Sequence, residues 1–114
     1  MATNPVPTIP QTRDAAQALE NQLAAANPIG AEASQAVADS LTAVGKVLTA
    51  LNQEEAAQRS GQMLAVGQDV TDAVKQLKEL QAQLTRIGTE LGMVGDVAGA
   101  LDTVLTGCGS LFKI

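Results

Sequence analysis

The side chains able to do chemistry are few: one cysteine, twelve acids, seven basic residues and no histidine. A nucleophilic Cys108 needs a base beside it, and imidazole, the usual one, is absent. Cys108 therefore reads as a small buried hydrophobe, the alternative being pairing with a second copy in an exported chain. A Ser-His-acid hydrolase is impossible within this one chain, and its serines have no evident activating partner. A lone cysteine cannot build a zinc site, and the acids do not follow the EF-hand spacing. Asp69 and Asp72 stand three apart, which places both on one solvated helix side. Glu54 and Glu55 are explained by a helix start. The stretch GMVGDVAG is not a dinucleotide fingerprint, because no strand precedes it, and no Lys-Ser or Lys-Thr follows the glycines as in a phosphate loop. The reading is a non-enzymatic chain with no catalytic, cofactor or metal residues.

The net charge of −5 excludes another class. Nucleic-acid binding needs a basic footprint, and Lys75 and Lys78 are diluted by Asp69, Asp72 and Glu79. The acidity also gives anionic lipid nothing to attract. MATNPVPTIPQTR lacks the basic start and apolar run of a cleavable signal peptide, so the expected location is the cytoplasm, or outside it by a route that cleaves no signal.

The elements that carry these residues are helical. Val66, Val70, Ala73, Leu77, Leu80, Leu84, Ile87, Leu91, Val94, Ala98, Leu101, Leu105, Cys108 and Phe112 alternate at spacings of four and three. That repeat draws one apolar seam along a helix. Unbroken, it would run roughly 70 Å at 1.5 Å per residue, and such a rod needs a neighbour. An earlier stripe, Ser34, Val37, Leu41, Val44, Leu48 and Leu51, is out of phase with it. The phase change coincides with Asn52-Gln53-Glu54-Glu55, which has the spacing of a capping box, so a turn is expected there. Further upstream, Thr12 is the expected cap of a first helix bearing Ala15, Leu19, Leu23 and Ala26, and Asn27-Pro28 interrupts it. The sequence thus predicts a flexible proline-containing arm at 1–11 and one helical domain at 12–114. Its helices are placed at about 12–26, 30–51 and 54–108, followed by a short apolar tail at 109–114. Gly107 and Gly109 are expected to end the last helix, and the tail either folds back or docks in a partner's groove.

The expected fold class is all-α, an elongated helical hairpin or coiled-coil-like bundle, oligomeric or in complex. Gly88, Gly92, Gly95 and Gly99 form a second stripe beside the seam. Glycine in a helix interior costs about 1 kcal/mol each, which close approach of another helix would offset. The candidate protein interface is therefore Ile87, Gly88, Leu91, Gly92, Val94, Gly95, Ala98, Gly99, Leu101, Leu105, Leu111 and Phe112. The functional reading is a helical interaction protein: an adaptor, a chaperone or a structural subunit of a larger assembly such as a secretion apparatus. It would bind a protein partner, a second copy, or both, and no nucleic acid. The alternative is a secreted, membrane-active or pore-forming component inserting through residues 87–112, where charge is sparse. Asp96 and Asp102 oppose it, being costly at a bilayer centre.

Overall fold

The computed structural model describes residues 7–61, 67–93 and 95–112. Among them lie four helices: α1 (Ile9–Ala24), α2 (Ala31–Arg59), α3 (Gln68–Leu91) and α4 (Val97–Leu111). They form an elongated all-α bundle of 46 × 36 × 20 Å. Each helix touches its two neighbours in a closed cycle, and among the described residues α1 does not meet α3, nor α2 α4. The chain runs up and down alternately. Arg13 near the start of α1 meets Glu55 near the end of α2, and Arg86 near the end of α3 meets Glu32 at the start of α2. Gly107 late in α4 lies on Thr12 early in α1.

Local chemistry sets the helix ends. Thr8, not Thr12, starts α1. Its hydroxyl accepts from the Gln11 N–H at 3.3 Å, and the Gln11 side chain accepts from the Thr8 N–H at 2.9 Å. That reciprocal pair satisfies two amides left open at a helix start. Pro10 sits in the first turn, where its missing N–H costs nothing. Thr12 is instead fully buried in the helix and donates its hydroxyl back to the Thr8 carbonyl at 2.8 Å. Of the expected proline-containing arm, residues 1–6 lie outside the described residues, while 9–11 belong to α1.

The turn expected at residue 52 is absent. Asn52 is exposed, and α2 passes through it for 29 residues. The Asn-x-x-Glu spacing is also i, i+3 on a continuous helix, and Glu55 is used otherwise: its carboxylate takes Arg13 at 2.7 Å and Arg59 at 2.9 Å. The helix ends about one turn later, at Arg59, after which the Ser60 N–H reaches back to Ala56 and Ala57 and Gly61 takes a φ of 71°. The phase change between the two apolar stripes is thus the mark of two helices, with the boundary displaced.

The expected 54–108 helix is likewise divided, between Leu91 and Val97. Gly92 ends α3 in the left-handed region (φ 62°, ψ 31°), and Asp96 caps α4 by accepting the Gly99 N–H at 3.0 Å. The long extent of 46 Å is accordingly well short of a 70 Å rod. Beyond that turn, Gly107 and Gly109 lie inside α4, which continues to Leu111. Phe112 folds back and is buried.

The core lies where the four apolar stripes converge. It contains Leu19 and Leu23 of α1, Val44, Val47 and Leu51 of α2, Val74, Leu77, Leu80 and Leu91 of α3, and Leu101 and Val104 of α4. With one aromatic residue in the chain, close approach makes up for small side chains. Gly107 shows this most clearly: a Cβ there would overlap the Thr12 hydroxyl and lie 2.7 Å from its methyl.

Candidate interaction surface

A concave part of the described surface lies between α2 and the start of α3. One turn after another, α2 presents Thr42, Gly45 with Lys46, Thr49 and Gln53; α3 supplies Asp69 and Val70, preceded by Gly67. The hollow holds about 500 Å³. A shallower one of about 210 Å³ adjoins it through Thr42 and Lys46, and adds Asp39, Asp72 and Gln76. Small residues create the depression: a Cβ at Gly45 would meet nothing within 4 Å. The threonine hydroxyls turn inward, Thr42 donating to the Ala38 carbonyl at 3.2 Å and Thr49 to that of Gly45 at 3.1 Å. Lys46 stands among Asp39, Asp69 and Asp72, so the groove is net acidic. It is open and elongated along α2. Among the described residues no cysteine, serine or histidine lines it.

The sequence missed this groove, because most of its residues, Val70 and Ala73 apart, lie off the apolar stripes. The signal available was the run Thr42, Gly45, Thr49 at helical spacing, small residues on an otherwise polar face.

The twelve candidate interface residues do not gather on one surface. Leu91, Leu101 and Phe112 are buried in the chain's own core. Ile87 and Gly88 are half-buried, and Ile87 has a non-helical backbone (φ −131°, ψ 33°) that kinks α3. Gly92 and Gly95 form the turn into α4, both with positive φ. Gly99 lies under the Asp96 carboxylate that caps α4. Ala98 is exposed, Leu105 and Leu111 are half-buried, and Val94 lies outside the described residues. The glycine stripe is thus a helix stop and a restart. Spacings of four and three suit a packing face, and they also suit a turn that starts at one glycine and ends at another.

Gly92 is required twice over. Its φ of 62° suits glycine, and a Cβ there would fall on the Asn27 carbonyl group, 2.6 Å from the carbon. The close approach lets the connector between α1 and α2 cap α3. Asn27 donates its N–H to the Gly92 carbonyl at 3.1 Å, and Ile29 to the Glu90 carbonyl at 2.7 Å. Two carbonyls left open at a helix end are satisfied there by tertiary contact rather than by α3 itself.

Cys108 is fully buried on α4. Burial, which penalises the thiolate, pushes its pKa from 9.0 up to about 12. Near neutral pH it is a packed thiol. Among the described residues no group of three or more His, Cys, Asp or Glu could hold a metal ion. Among the same residues no helix is long and apolar enough to cross a membrane, and residues 87–112, expected to insert under the alternative reading, span two helices and a turn.

Comparison with known protein families, with curated proteins and with solved structures finds no match to this chain.

Proposed function

We propose that this protein is a non-enzymatic helical interaction protein, an adaptor, a chaperone or a subunit of a larger assembly, which binds another protein along the α2–α3 groove. The observation that carries the reading is the form of that groove: open, running along α2 through Thr42, Gly45 and Thr49, and acidic at its rim. Such a surface receives an extended or helical segment better than it encloses a small molecule, whose sites bury most of the ligand.

The test is the mass of the natively purified complex, followed by substitution in the groove. Gly45→Leu fills the depression without touching the core. The expected result is a heteromeric complex whose partner is lost from the Gly45→Leu protein while helicity is kept. A protein recovered at the mass of the free chain, or a partner retained unchanged by the variant, refutes the reading. Liposome flotation and dye release test the membrane alternative separately; binding to any lipid mixture would revive it.

A further inference from the structure

We propose that Gly92 and Gly95 form a hinge across which α4 can be exchanged between two copies of this chain, giving a domain-swapped dimer. This goes beyond the partner reading and does not depend on it, since the groove between α2 and α3 takes no part.

Three observations converge on it. The first is the seam. Leu84, Ile87, Leu91, Val94, Ala98, Leu101 and Leu105 keep their four–three alternation through the very residues where the chain turns. The sequence therefore specifies a continuous helix as well as it specifies two. The folded-back form leaves part of that seam uncovered: Ile87 and Leu105 are half-buried and Ala98 is exposed.

The second is the backbone of the turn. Among its described residues Gly92 (φ 62°) and Gly95 (φ 79°) take left-handed φ, and Asp96 is non-helical (φ −88°, ψ 73°). In a straight helix the Glu90 and Gly92 carbonyls accept from the N–H groups of residues 94 and 96, four positions on. They would take those partners in place of the Ile29 and Asn27 amides, both on exposed residues, which then pass to water. No buried polar group is orphaned by the change.

The third is where α4 is held. Its packing is mainly on α1, where Gly107 admits Thr12, and less on α3. A second copy offers the same α1 surface. Exchange therefore reproduces the contact, closes under two-fold symmetry and adds a new one along Ile87, Ala98 and Leu105. Short hinges are where such exchange begins.

The test uses the full chain, refolded across a concentration series and analysed by size exclusion with light scattering. Wild type is expected to give monomer and a discrete dimer. Ala98→Pro places proline at the second position of α4, the position Pro10 already holds in α1. It is tolerated there, yet it breaks a continuous helix. The dimer is expected to weaken by about tenfold or more, while Ala98→Ser leaves it unchanged. Gly92→Ala acts in the opposite direction, disfavouring the turn and favouring the straight helix, with dimer strengthened by about tenfold. This second variant decides the matter if the proline protein does not fold. A Gly92→Ala protein that stays monomeric at every concentration overturns the proposal. So does a dimer that Ala98→Pro, folded, leaves intact.

Discussion

Two glycines in helix interiors should respond oppositely to the same methyl group. At Gly45 the added Cβ meets nothing within 4 Å, so Gly45→Ala gains only helix propensity, about 0.5–1 kcal/mol. At Gly107 the propensity gain is similar, but the Cβ overlaps the Thr12 hydroxyl and lies 2.7 Å from its methyl and 2.9 Å from its Cβ. Thr12 cannot swing aside, because it is fully buried and its hydroxyl is bonded to the Thr8 carbonyl. Overpacking of this kind costs about 1–3 kcal/mol. Gly107→Ala is thus expected to fall about 1–3 kcal/mol below Gly45→Ala, with propensity cancelling in the difference. Urea unfolding followed by circular dichroism measures both, and equal slopes establish that the unfolded state has not changed. Thr12→Ala in the Gly107→Ala background should recover part of the loss, appearing as coupling in a double-mutant cycle. If Gly107→Ala stabilises as much as Gly45→Ala, α4 does not approach α1 at Thr12, and the packing argued above is wrong.

Other expectations follow from single contacts. Because burial raises the Cys108 pKa in the folded state, its contribution is fully present below about pH 9 and is lost as pH rises towards about 12. Cys108→Ala should flatten that alkaline decline, and a thiol reagent should label the wild-type chain only on unfolding. Asp96→Ala removes the cap of α4 and should cost about 1 kcal/mol in urea titration. Ser40→Ala should stabilise by about 1 kcal/mol, since the fully buried Ser40 hydroxyl has no hydrogen-bond partner among the described residues; a loss would show that the hydroxyl is satisfied. The Arg86–Glu32 pair is exposed on both sides, so Glu32→Gln should change stability by less than about 0.5 kcal/mol, and less still in high salt.

Much of this protein was legible in its residues. The helical class followed from the four–three spacing, a consequence of 3.6 residues per turn that needs no tertiary information. The existence of two out-of-phase stripes marked separate helices. What the spacing could not show was where each helix stops. Asn52-x-x-Glu55 has the form of a start signal, yet Glu55 is engaged by Arg13 from α1, 42 positions earlier. The glycines from 88 to 99 satisfied the periodicity of a packing face, and only the nearness of the Asn27 carbonyl reveals Gly92 as a turn. Gly107, expected to end a helix, is where two helices meet most closely. Local periodicity depends on residues three and four apart and is fixed by the chain itself. The capping of α3 and the approach of α4 to α1 depend on residues more than 60 positions apart, and the groove along α2 on residues 14 to 37 positions apart. Those contacts exist only once the bundle has closed.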